Sequence, residues 1–89
     1  MTSVTTTTIT VRYFAAARAA AGVEVDKVQV SSAATVDDLL DAIRAEHGSP
    51  LAAVLERCSY LLDEVAVRDR TAPLATATTL DVLPPFAGG

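Results

Sequence analysis

The chain has 89 residues, enough for one domain around one modest core. Hydrophobic residues make up 51% and charged residues 20%, a globular composition that argues against a disordered chain. A formal net charge of −4, with no cluster of lysine and arginine, makes nucleic acid and anionic membrane poor partners. So small a chain has little room for an enclosed substrate pocket, and this favours action through a surface or a terminus.

The opening MTSVTTTTIT is polar and lacks a basic start followed by an apolar block, so it does not read as a signal peptide. With no apolar run of spanning length either, the expectation is a cytoplasmic protein. Residues 1–6 are expected to fray. From Thr7 to Phe14 the pattern alternates, with Ile9, Val11 and Tyr13 on one face and Thr10, Arg12 and Phe14 on the other. Such alternation in a β-branched stretch predicts a strand.

Ala15 to Gly22 has high helix propensity but is short, and predicts a turn or one to two helical turns closed by Gly22. Val23 to Val30 alternates again, with Asp26, Val28 and Val30 in register, and the short connection predicts an antiparallel hairpin. Thr35 is an N-cap residue, with Asp38 at the third helical position as a weak capping box. Val36, Leu39, Leu40 and Ile43 then form one apolar stripe at helical spacing. Gly48 and Pro50 are expected to end this main helix. His47, the only histidine, falls in its last turn, where it suits the helix dipole better than a metal role.

Leu51 to Cys58 predicts a shorter helical turn, and the single Cys58 among apolar neighbours reads as an inert thiol. Ser59 to Asp63 predicts a strand, Asp63-Glu64 a turn, and Val65 to Arg68 its return, with Val65 and Val67 inward. After an irregular crossing, Thr79 to Leu83 predicts a last strand with Leu80 and Val82 inward. The order is β-β-α-β-β-β, an α+β layer pair in which the first and last strands are parallel central neighbours. Residues 1–83 form the expected domain, and 84–89 a flexible tail. No self-contained set of catalytic side chains can be assembled, so the chain is not expected to be catalytic alone.

Two stretches carry a resemblance. VRYFAAARAAAG, with its aromatic, Arg18 and a glycine, and LPPFAGG at the end resemble the small sulfur-carrier subunit of molybdopterin synthase in the MoaD/ThiS family, of ubiquitin-like β-grasp fold. The resemblance runs from about Thr7 onward. It implies that Gly89 is adenylated by an E1-like partner that consumes ATP, and is then converted to a thiocarboxylate. It further implies that the large synthase subunit uses this sulfur on cyclic pyranopterin monophosphate, the chain itself binding no cofactor or metal. Gly88, Ala87, Phe86, Pro85 and Pro84 would line the route into each partner.

The chemistry suits those residue types. A terminal carboxylate with a pKa near 3.5 is ionised and unreactive at neutral pH, and so needs a leaving group such as AMP before sulfur can attack. Glycine lets the carbonyl enter a narrow site, and the Pro-Pro step keeps the base of the tail extended. Strand parity puts Phe14 and Leu83 on the face away from the helix, with Ala66 as a third member of a docking patch. Arg12 and Arg68 share that face in this reading, as partners for carboxylates or as solvated charges. Two alternatives stay open: a sulfur carrier for thiamine or cysteine assembly, and a ubiquitin-like modifier joined to lysines through Gly89. A plain binding module with an idle tail is a third class.

Overall fold

Residues 5–85 are described by the computed structural model. Thr6–Tyr13 forms β1, whose ladder with β2 (Val25–Ser31) is antiparallel and runs from Thr6↔Ser31 to Arg12↔Val25. The strand therefore starts one residue before the expected Thr7, and Thr5 still accepts a hydrogen bond from the Ser32 N–H at 2.9 Å. Residues 1–4 of the expected frayed start lie outside the described residues. Between the two strands lies α1 (Ala15–Ala21), closed by Gly22 at φ 78°, whose N–H reaches the Arg18 carbonyl at 2.9 Å. Only glycine takes that left-handed angle without steric cost, so the alanine run ends there.

The capping box on α2 (Val36–His47) is complete. The Asp38 N–H donates to Thr35 Oγ1 at 3.1 Å, and the Thr35 N–H donates to Asp38 Oδ2 at 2.9 Å. The next two free donors are met by the crossing segment, Val36 N–H by the Ala72 carbonyl and Asp37 N–H by the Arg70 carbonyl. A helix start with all its leading N–H groups satisfied can be packed against other chain at no hydrogen-bonding loss. Leu74 follows in the same crossing, 2% exposed, and joins the core.

Gly48 ends α2 as expected, but Pro50 does not: it stands in the first turn of α3 (Ser49–Leu55). Proline is preset for that position, where its missing N–H has no helical partner to lose. Helix α3 therefore covers Ser49 to Leu55 instead of the expected Leu51 to Cys58. Its Leu51 and Leu55 are fully buried.

Ser59–Leu62 forms β3 and Val65–Ala66 a two-residue β4, joined by Asp63 and Glu64, both at positive φ. Thr79–Leu83 forms β5. The sheet order is β2-β1-β5-β3-β4, with β1 and β5 parallel at its centre as the crossover argument requires. Ile9, Val11, Tyr13, Leu80 and Val82 point from those central strands into the core with Val36, Leu39, Leu40 and Ile43 of α2. Val67 packs against this core, but Val65 is 68% exposed. Its parity is inward, as expected, but on a two-residue edge strand it borders an open groove with Val36 of α2 and stays uncovered.

Candidate functional site

Facing away from the helices, the sheet carries one unbroken row of side chains. Val25 pairs with Arg12, Arg12 with Asp81, Asp81 with Leu61 and Leu61 with Ala66, one residue from each of the five strands. The next row toward the C-terminus joins Leu83 to Ser59, and beside them the Phe14 N–H donates to the Val82 carbonyl at 3.3 Å. Phe14 is 40% exposed, and the Arg12 guanidinium lies 5.9 Å from its ring centre. Phe14 and Leu83 are thus neighbours on the outward face, while Ala66 stands farther off, at the edge beyond Leu61.

Arg12 is not held ready for a partner's carboxylate. It donates from Nε and Nη2 to the two oxygens of Asp81, at 2.5 and 2.7 Å. That hydrogen bond and the charge behind it raise the Arg12 pKa above its ordinary value, fixing it as a cation. The Asp81 side chain is only 7% exposed and the Arg12 side chain 44%. The pair lies flat across the central strands and leaves the surrounding surface to Phe14, Leu61, Leu83, Ala66 and Val25. Arg68 is exposed and lines a groove with Val36, Leu62 and Val65 at the β4 edge.

Leu61 and Asp81 were not singled out in the sequence. The signal for Asp81 was available: a carboxylate between two inward apolar residues on a strand parallel to one carrying Arg12 in the same phase. Leu61 follows from the same parity once Ser59–Leu62 is paired to β5.

At Leu83 the sheet ends, and Pro84 and Pro85 turn past its rim. They line an open groove of about 520 Å³ with Ala16, Ala53, Val54, Glu56 and Arg57. The other expected site residues, Phe86, Ala87, Gly88 and Gly89, lie outside the described residues.

The groups set aside in the sequence are accounted for by packing. The Cys58 thiol is half-buried, donates to the Val54 carbonyl at 3.2 Å and is pushed up in pKa by desolvation, an unreactive setting. His47 Nε2 lies 2.5 Å from Asp26 Oδ2, and the Tyr13 hydroxyl donates to the same oxygen at 2.8 Å. The three tie the end of α2 to β1 and β2, with the Tyr13 and His47 rings meeting edge to face. Burial, then the bond to Asp26, raises the Tyr13 pKa above the tyrosine range. Among the described residues no helix is long and apolar enough to cross a membrane.

No curated protein matches the sequence. Among solved structures the chain is similar to SAMP1 from Haloferax volcanii, with TM-score 0.80 and 26% identity over 93% of this chain and 100% of that one. It is also similar in fold to the putative molybdopterin converting factor subunit 1 from Pyrococcus furiosus, with TM-score 0.73 and 22% identity over 88% and 97%. A third similar fold is found in the complex of subunits 1 and 2 of the molybdopterin-converting factor from Helicobacter pylori 26695, with TM-score 0.66 and 23% identity over 93% and 100%. The model of the ThiS family matches residues 11–89, from the second half of β1 through the closing glycines. With an α+β, ubiquitin-like β-grasp architecture around it, the chain belongs to the ThiS family of ubiquitin-like sulfur carriers.

Proposed function

We propose that this protein carries sulfur as a thiocarboxylate on Gly89 and donates it, within a two-protein molybdopterin synthase, to cyclic pyranopterin monophosphate. The observation that carries this reading is an outward apolar face of Phe14, Leu61 and Leu83 beside the root of a Pro-Pro-Phe-Ala-Gly-Gly tail. A carrier must dock by a surface and deliver a carbonyl from its edge, and these two features lie side by side. The expected reach of Pro84 to Gly89 is roughly 20 Å at about 3.3 Å per residue, enough to enter another protein's site.

The proposed chemistry starts outside this chain. A Gly89 carboxylate oxygen attacks the α-phosphorus of ATP on an E1-like enzyme, and pyrophosphate leaves. A sulfur nucleophile supplied by that enzyme system then attacks the acyl carbon and AMP leaves, taking the electron pair of the broken C–O bond. With hydrosulfide as that nucleophile, loss of its proton leaves the thiocarboxylate, which is the nucleophile that the large subunit directs at the pterin. In this reading the chain contributes one atom, its presentation and a docking face. The large subunit of the synthase and the activating enzyme are its partners, and no metal or cofactor is held by it.

The modifier reading has a specific observation in its favour, the similarity to SAMP1. It requires the same activated Gly89, with a lysine amine in place of sulfur as the final nucleophile. Incubation with ATP, a sulfide source and the activating enzymes of the host cell separates the two. The carrier reading predicts sulfur on free protein, consumed when the large subunit and pterin are added. Conjugates on other proteins, with no sulfur transfer to pterin, would replace it by the modifier.

A further inference from the structure

Strand β2 is the longer of the two sheet edges. It has seven residues and, among the described residues, a neighbour on one side only, whereas the opposite edge, β4, has two. Tyr13 N–H bonds to the Glu24 carbonyl and Ser32 N–H to the Thr5 carbonyl. In the antiparallel register these narrow pairs alternate, so Asp26, Val28 and Val30 bond inward to β1. The N–H and C=O groups of Val25, Lys27 and Gln29 therefore face off the edge of the sheet. The strand has no proline, and Lys27 is its one cation, so little of the usual protection of an edge is present.

The helix side of this edge is not closed either. Val28 and Val30 pack against the core but are only partly buried, and an open groove of about 330 Å³ begins at Val30, lined by Val30, Ser31, Ala33, Ala34 and Asp38. Charge decides what would fit. Asp38 stands in the groove wall, and Glu46, on the same helix, adds negative charge felt at Tyr13. Asp26 faces the same side, while the strand's single lysine, Lys27, faces the other. A second copy joined antiparallel through this edge would lay its own acidic helix face along this one. Cationic ends would complement these carboxylates.

We infer that β2 is a docking edge for an extended segment of another protein, one that adds as a sixth strand, seats alternate small apolar side chains against Val28, Val30, Ala33 and Ala34, and carries basic residues at its ends. This surface lies at the far side of the sheet from β3 and β4 and involves none of the residues of the proposed sulfur-delivery face except Val25 at its margin. Main-chain bonds supply affinity in this mode and the alternate pockets supply selectivity.

The test titrates the full chain with a soluble peptide of alternating valine and threonine flanked by two lysines at each end. Calorimetry gives the affinity, and amide exchange reports the Lys27 and Gln29 N–H groups. Saturable binding is expected, with those two amides newly protected. Gln29→Pro should weaken it by about tenfold or more, because it deletes an edge donor while leaving the β1 ladder and the thermal midpoint in place. Glutamate in place of the flanking lysines should weaken it comparably, and Ala33→Glu, which fills the groove, should do the same. No saturable binding, binding indifferent to Gln29→Pro, or concentration-dependent protection of the edge without peptide would each overturn the inference, the last by showing that a second copy occupies it.

Discussion

Arg12 and Asp81 meet side by side on parallel strands, joined through both carboxylate oxygens, with the acid nearly buried and the base half in solvent. The asymmetry gives an ordering. Arg12→Met leaves a buried carboxylate without its cation and should lower the thermal midpoint more than the double variant Arg12→Met/Asp81→Leu, in which neither charge remains. Denaturation of the single and double variants checks it, and a double variant less stable than Arg12→Met would contradict the reading.

Acid stability is expected to depend on Asp63. Hydrogen bonds from the Thr78 and Thr79 N–H groups, at 3.0 and 2.9 Å, hold its pKa below the ordinary aspartate value of 3.8. A lowered folded-state pKa contributes stability that is present above the unfolded value and disappears as pH falls through the folded one. Asp63→Asn should flatten the fall in stability below about pH 4, and urea unfolding followed from pH 5 to 2 measures it.

The alkaline limb has the opposite sign. Burial pushes Tyr60 up to about 12, and its hydroxyl donates to the Leu55 carbonyl at 2.7 Å. Its contribution is complete below the unfolded tyrosine pKa of about 10 and is lost as pH rises toward the folded value. Tyr60→Phe should cost about 1 kcal/mol near neutrality and reduce the loss between those limits, read by the same unfolding assay.

For the outward face, Leu61→Glu and Phe14→Glu are each expected to weaken binding to the synthase large subunit by about tenfold or more, as loss of a central anchor does. Val65→Glu, at an exposed apolar site on the other side of the β4 edge, is the control and should leave affinity unchanged. Calorimetric titration reads all three. Equal affinities across the set would move the docking surface elsewhere.

The parts of the fold that were readable from the sequence are those where a local rule and the core agree. Ile9, Val11 and Tyr13 alternate and are buried; Thr35 and Asp38 cap a helix whose stripe of Val36, Leu39, Leu40 and Ile43 meets the sheet. The non-local pairing of β1 with β5 followed from the crossover argument, but the side chains that meet across such pairings did not stand out. Asp81 reads as a polar interruption of a strand until β1 lies beside it, and Asp26 until Tyr13 and His47 both reach it. Leu74 sits in a segment without periodicity and is buried because the crossing docks on the start of α2. Val65 fails for the converse reason, since parity states a direction and not whether anything waits there.

The central claim is tested most directly by intact-mass measurement of the chain after incubation with ATP, a sulfur source and the activating enzymes, followed by fragmentation of its C-terminal peptide. The account predicts the mass gain of one sulfur replacing one oxygen, localised to Gly89 and reversed when large subunit and pterin are supplied. A chain that stays unmodified under conditions that charge an established carrier, or that acquires sulfur at any other residue, would contradict it.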